Sequence, residues 1–381
     1  MSDDERYDRQ RRIPGWDQNR LAAATVLVVG AGAIGNEVLK NLALAGVGHL
    51  VIVDLDRVER SNLSRTLLFR TADCGMPKAE AAAHALTALN PAVQVTPLVG
   101  DLRFVLGLGR VHACTLAVGC LDNQGARSFL SRMCLLAGVP LLDGAMWAMG
   151  GEVRTFLAAE GPCFDCTLTP DERRDLWLRF SCSGGFQVHE APAVAPTLIT
   201  TTAIVGGLLA QAALRILHGL SVENGSALVY NGQTGRLHRA TLRRDPACPN
   251  HHPLDWAQIT PLPGSVTELT AAALLDHAQH DCHADLTLDL GRDLLLSFAC
   301  PGCGAVEAVG RPQGLLAASA ACCPQCGSER RPHVVATVQR ADAWAAWSLA
   351  QLGIQPGDVV SVRSSEQVLM YVGEWGMRNE E

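Results

Sequence analysis

Lysine is nearly absent from this chain of 381 residues. Only Lys40 and Lys78 are lysines among its 31 basic residues; the other 29 are arginines. Positive charge is itself in the minority, since 38 acidic residues leave a net charge of −7. A mildly acidic chain is poorly suited to neutralising a run of phosphates, so no nucleic-acid partner is expected. The opening MSDDERYDRQ lacks the apolar stretch of a secretory signal, and a cytoplasmic, reducing setting is expected. There, close cysteine pairs read as metal ligands or reactive thiols rather than disulfides. Residues 191–214 carry no charge but contain Pro192, Pro196, paired glycines and Gln211. They read as a buried helix behind a proline-bounded loop, not as a membrane span. No long internal repeat is visible.

What is present is a globular composition, 48% hydrophobic and 18% charged, over a length suited to two or three domains. Cysteine is abundant, at 14. Residues 25–29 (TVLVV) form a short β-rich run. GAGAIG and the helical NEVLKNLALAG follow, and then a second strand at 49–53. This βαβ unit implies a parallel sheet. Alternation continues through a helix at 77–90, strands at 93–99 and 114–118, a helix at 124–137 and a strand at 139–142. Residues 151–158 and 227–240 look like antiparallel additions. The proline-rich segment 243–264 is the expected boundary. Beyond it we expect a helix near 265–280, two CxxC knuckles, and β-like runs at 333–338 and 358–372.

Gly30, Gly32 and Gly35 form G-x-G-x-x-G between a strand and a helix, where backbone N–H groups can approach a phosphate. Asp54 ends the second strand, 19 residues after Gly35, placed to accept hydrogen bonds from a ribose. That much leaves NAD, FAD and ATP open. Splitting a triphosphate demands cations to offset charge on the leaving pyrophosphate. Arg65 and Lys78 are candidate clamps, and Asp122, after the 114–118 strand, a candidate Mg²⁺ ligand. Against these stand a surface arginine at 65 and a helix N-cap at 122.

Together R-Y-D-R-Q (6–10), GAGAIGNEVLKNLALAGVG (30–48), D-L-D-x-V-E-x-S-N-L-S-R (54–65), G-M-P-K-A-E (75–80), N-P (90–91) and D-N-x-x-A-R (122–127) closely resemble one family. It is the ubiquitin-activating superfamily, the ThiF/MoeB/HesA adenylyltransferases and their eukaryotic relatives, and the likeness covers roughly residues 5–250. The resemblance implies ATP-dependent adenylation of the C-terminal glycine of a ubiquitin-like protein. Gly32 and Asp54 would hold the adenosine end, while Asp56, Asn62, Arg65 and Lys78 would surround the phosphates. Asp122, with Asn123 beside it, would face Mg²⁺ and nucleotide. Arg9 would reach the phosphates bound by the other subunit of a homodimer. One departure is Thr66, where the family commonly has glutamine after the arginine.

Cys163-x-x-Cys166 and Cys248-x-x-His251 supply four ligands in two short pairs, suited to structural Zn²⁺, with His252 as an alternative to His251. Cys300, Cys303, Cys323 and Cys326 give C-x₂-C-x₁₉-C-x₂-C, a second structural Zn²⁺ site of ribbon type, beside the extra thiol of Cys322. Cys182 lies in the Gly/Ser-rich RFSCSGGFQ, followed by HEAPAVAP. It reads as a nucleophile aided by Arg179 and His189, or as an idle loop cysteine; Val188 occupies the position of the sulfur-carrier branch's own cysteine. The expected fold is α/β. A Rossmann-like, doubly wound, mostly parallel sheet makes a zinc-closed adenylation domain (1–258), and a smaller α+β zinc-ribbon module (259–381) follows. The leading expectation is activation of a ubiquitin-like modifier for conjugation, with a thioester step and a conjugating enzyme as a further partner. The alternative is adenylation of a sulfur-carrier protein. A scaffold without catalysis and a dehydrogenase are the remaining readings.

Overall fold

The computed structural model describes residues 3–157, 160–180, 196–280, 285–316 and 318–374. They fall into two compact units. The first comprises the described parts of 1–106, 111–173 and 192–254, and the second those of 107–110, 174–191 and 255–381.

An eight-stranded sheet organises the first unit. Its strands are β1 (Thr25–Val29), β2 (His49–Asp54), β3 (Gln94–Val99), β4 (Leu116–Gly119), β5 (Leu141–Trp147), β6 (Gly150–Phe156), β7 (Ser226–Asn231) and β8 (Arg236–Thr241), in the spatial order β3-β2-β1-β4-β5-β6-β7-β8. Pairing is parallel from β3 to β5 and antiparallel from β5 to β8. The order reverses between β1 and β4, which opens a crevice at the carboxyl ends of these strands. Helices α1 (Ala33–Ala45), α2 (Lys78–Leu89) and α3 (Gln124–Ala137) connect the parallel strands. Val26, Val28, Leu50, Ile52, Leu116 and Val118 are fully buried, because both faces of a parallel sheet are covered.

Two further helices follow, α4 (Pro170–Phe180) and α5 (Ile199–Leu217). By length and composition α5 could cross a membrane. It packs instead on α1, β5 and β6, burying Thr202, Val205, Leu209 and Ala213.

In the second unit the sheet contains β9 (Ile259–Pro261), β10 (Thr287–Ala299), β11 (Val306–Pro312), β12 (Arg331–Gln339), β13 (Val359–Arg363) and β14 (Val368–Val372). Strand β10 pairs with β12 along its length, with β13 at its start and with β11 at its end. A helix, α6 (Ala271–Ala278), covers a core of Leu274, Leu275, Leu288, Leu294 and Val362. This helix is shorter than the expected 265–280. Thr270 Oγ1 accepts from the Ala273 N–H at 3.1 Å and so starts the helix there.

Candidate functional site

Between β1 and α1 the glycine loop is packed too tightly for a side chain at Gly30 or Gly35. A Cβ on Gly35 would lie 1.9 Å from the Gly30 carbonyl oxygen, and one on Gly30 would lie 2.4 Å from that of Cys120. Gly30 also has φ +94°, a backbone region that suits glycine. Gly32 is open, with no atom within 4 Å of its missing Cβ, and it caps α1. The loop thus leaves the N-terminus of α1 unobstructed at the sheet crevice, where a phosphate can approach. Asp54 organises the adjoining strand end. Its two oxygens accept from the Ala31 N–H at 2.7 Å and the Asp56 N–H at 2.8 Å. Burial pushes its carboxyl above the ordinary range, and the Asp56 hydrogen bond and the Lys78 charge offset part of that rise.

Lys78 opens α2, and its Nζ lies 2.8 Å from Asp56 Oδ2. The structure therefore brings two expected phosphate-side residues together. Arg65 is half-buried, with Nη1 donating to the Ser61 carbonyl at 2.7 Å. Asn62 Oδ1 accepts from the Glu59 N–H, which holds the turn that carries Arg65. Thr66 is buried and donates to the Asn62 carbonyl at 3.0 Å, so its side chain serves the turn. Lys40, the other lysine, is half-buried on α1 and paired with Glu37.

Asp122 is exposed just beyond β4. The cap of α3 is Asn123, whose Oδ1 accepts from the Ala126 N–H at 2.7 Å. The capping alternative for Asp122 thus falls away, while the Asn123 oxygen, expected to face nucleotide, is occupied by the helix. Sequence reasoning missed Arg127 and Asp143. Arg127 Nη1 lies 2.9 Å from Asp143 Oδ2, and both side chains are nearly inaccessible. The signal for Arg127 was its place in D-N-x-x-A-R; nothing local marks Asp143, on β5.

Arg9 is exposed on a single helical turn. Its neighbours fix that turn at the far end of α1. Gln10 Nε2 donates to the Ala45 carbonyl at 2.9 Å, and Tyr7 Oη accepts from Asn90 at 2.8 Å. At 1.5 Å per residue, α1 separates this point from Gly32 by about 20 Å. Within one chain Arg9 is not brought to the glycine loop. Cys182, Val188 and His189 lie outside the described residues, as does the Arg179 side chain.

Two clusters could each hold a metal ion. In the first, Cys163 Sγ lies 3.7 Å from Cys166 Sγ and 3.6 Å from Cys248 Sγ, and Cys166 Sγ lies 3.1 Å from His251 Nε2. Tetrahedral zinc with Zn–S near 2.3 Å places sulfurs about 3.8 Å apart, so the set fits. His251, not His252, completes it. The hydrogen bond between the two thiols pushes Cys166 down and Cys163 up, so Cys166 is the thiol of the pair nearer to a thiolate. In the second, the Cys300–Cys326 and Cys303–Cys323 sulfur separations are 3.4 and 3.7 Å. Cys322 stays outside this cluster.

Comparison with known proteins bears on the family and the fold. The chain is 35% identical over 254 residues to the sulfur carrier protein adenylyltransferase of Thermus thermophilus, covering 64% of this chain and 89% of that one. It is 33% identical over 255 residues to the molybdopterin-synthase adenylyltransferase of Escherichia coli, covering 65% and 97%. The solved structure of E. coli MccB with MccA-N7isoASN shares the fold, with TM-score 0.54 and 18% identity over 65% of this chain and 75% of that one. The model of the ThiF family matches residues 7–250, more than half of the sequence, and the chain therefore belongs to the ThiF family.

Proposed function

We propose that this protein is an adenylyltransferase acting on the C-terminal glycine of a ubiquitin-like sulfur-carrier protein. The observation that carries the reading is the likeness to two adenylyltransferases, named for a sulfur carrier and for molybdopterin synthase, across most of their length. It puts sulfur-carrier activation ahead of modifier conjugation. The conjugation reading, whose thioester step would fall to Cys182 outside the described residues, stands second.

In the proposed reaction the glycine carboxylate attacks the α-phosphorus of ATP. The bond to the β-phosphate oxygen breaks, pyrophosphate leaves with the electron pair, and an acyl-adenylate remains. The glycine loop and Asp54 would seat the nucleotide, with Lys78, Asp56 and Arg65 around its phosphates. Mg²⁺ would offset charge on the triphosphate, and the exposed Asp122 would hold it. The two cysteine clusters would hold structural Zn²⁺. Purified protein should catalyse ATP–pyrophosphate exchange only with a carrier of the same source whose terminal glycine is intact. Exchange that proceeds equally without carrier, or never with any carrier, would reject the reading.

The position of Arg9 supports its acting on the second subunit of a homodimer. Arg9→Ala and Asp122→Ala proteins, each inactive, should regain about a quarter of wild-type exchange after subunit mixing, since half the dimers then hold one complete site. Unrestored exchange in verified mixed dimers would place Arg9 outside the site.

A further inference from the structure

Arg127 has no part in the chemistry above, yet its guanidinium is nearly saturated. Nε donates to the Leu121 carbonyl at 3.0 Å, Nη1 to Asp143 Oδ2 at 2.9 Å and Nη2 to the Gly144 carbonyl at 2.9 Å; Nη2 also reaches Leu121. Asp143 is 1% exposed on β5, and burial raises its carboxyl, an effect that the Arg127 charge opposes. Leu121 immediately precedes Asp122. The clamp therefore fixes the chain on one side of Asp122, and the Asn123 cap fixes it on the other. Among the described residues Asp122 makes no side-chain hydrogen bond or ion pair, so what these contacts hold is the backbone from which its carboxylate projects.

We propose that Arg127, anchored by Asp143, is the positioning residue that aims Asp122 at the divalent cation of the bound nucleotide. The proposal rests on Asp122 being a metal ligand. Arginine suits the task because its planar fork reaches two carbonyls and a carboxylate together; lysine offers only a point charge. Removing it would leave Asp143 and two carbonyls without their shared donor in a site of low dielectric.

The test uses Mn²⁺ as the probe, with ATP present, and reads free Mn²⁺ by electron paramagnetic resonance on the full chain. Arg127→Met should weaken Mn²⁺ binding by about 10–100-fold, the usual size for a residue that orients a metal ligand. ATP binding without divalent cation should change much less. A merely structural role would lower both together. Asp143→Asn should act in the same direction but less, and with Arg127→Lys it carries the test should Arg127→Met fail to fold. Unchanged Mn²⁺ affinity in a folded Arg127 variant, with Asp122→Ala weakened, overturns the positioning role and leaves the proposed function standing. Wild-type affinity in Asp122→Ala as well would remove Asp122 from the metal site, and the proposal with it.

Discussion

Asp122→Ala is expected to lower carrier-dependent ATP–pyrophosphate exchange by about 100- to 1,000-fold, the loss typical of removing one group that manages transition-state charge. The structure separates this effect from a folding defect. Asn123, not Asp122, caps α3, and the Asp122 side chain is exposed. Thermal stability should therefore stay close to wild type while exchange collapses. Asp122→Asn keeps the shape and removes the charge, so it should lose nearly as much. Exchange within about threefold of wild type in either variant would show that the end of β4 does not manage charge in the reaction.

Cys166→Ser is expected to remove one of two zinc ions per chain and to lower Tm by more than about 10 °C. Structural zinc contributes about 10–16 kcal/mol of apparent binding energy in small zinc peptides. A loss of only about 4 kcal/mol already moves Tm by roughly this amount in a domain of 150–250 residues. The knuckle also carries packing. Phe164 N–H donates to Ser131 Oγ on α3 at 3.0 Å, and Leu135 of the same helix lies against Cys163 and Cys248. Opening the cluster therefore loosens α3, whose first turn adjoins Asp122, so exchange should fall as well. Cys303→Ser should remove the other ion and spare exchange. Two zinc ions and an unchanged Tm in Cys166→Ser would reject a metal at this cluster.

The first unit was legible because its signals are local. TVLVV, GAGAIG and the helical run after it each announce one element, and β1, β2 and α3 occur where the residue pattern puts them. The second unit was less so. Strand β10 is continuous, but its pairing with β12 shifts register across Gly291-Arg292-Asp293, so its thirteen residues do not read as one alternating run. The metal ligands stood out by spacing alone, whereas His251 over His252 needed three-dimensional placement. Arg127 shows why the rest of the site was hidden. Arg127 stands on α3 while its partners Asp143 and Gly144 stand on β5, and the D-N-x-x-A-R motif that contains it says nothing of that anchor.

The first metal cluster also has a history in time. Its two ligand pairs are 85 residues apart in the chain, with β7 and β8 lying between them. At roughly 5–20 residues per second of synthesis, the ribosome releases the second pair about 4–17 s after the first. Cys163 and Cys166 would thus wait seconds as half of a metal site, two thiols without their partners. Only then could Cys248 and His251 complete a coordination sphere and, with it, close a loop too long to be held cheaply by chain stiffness alone.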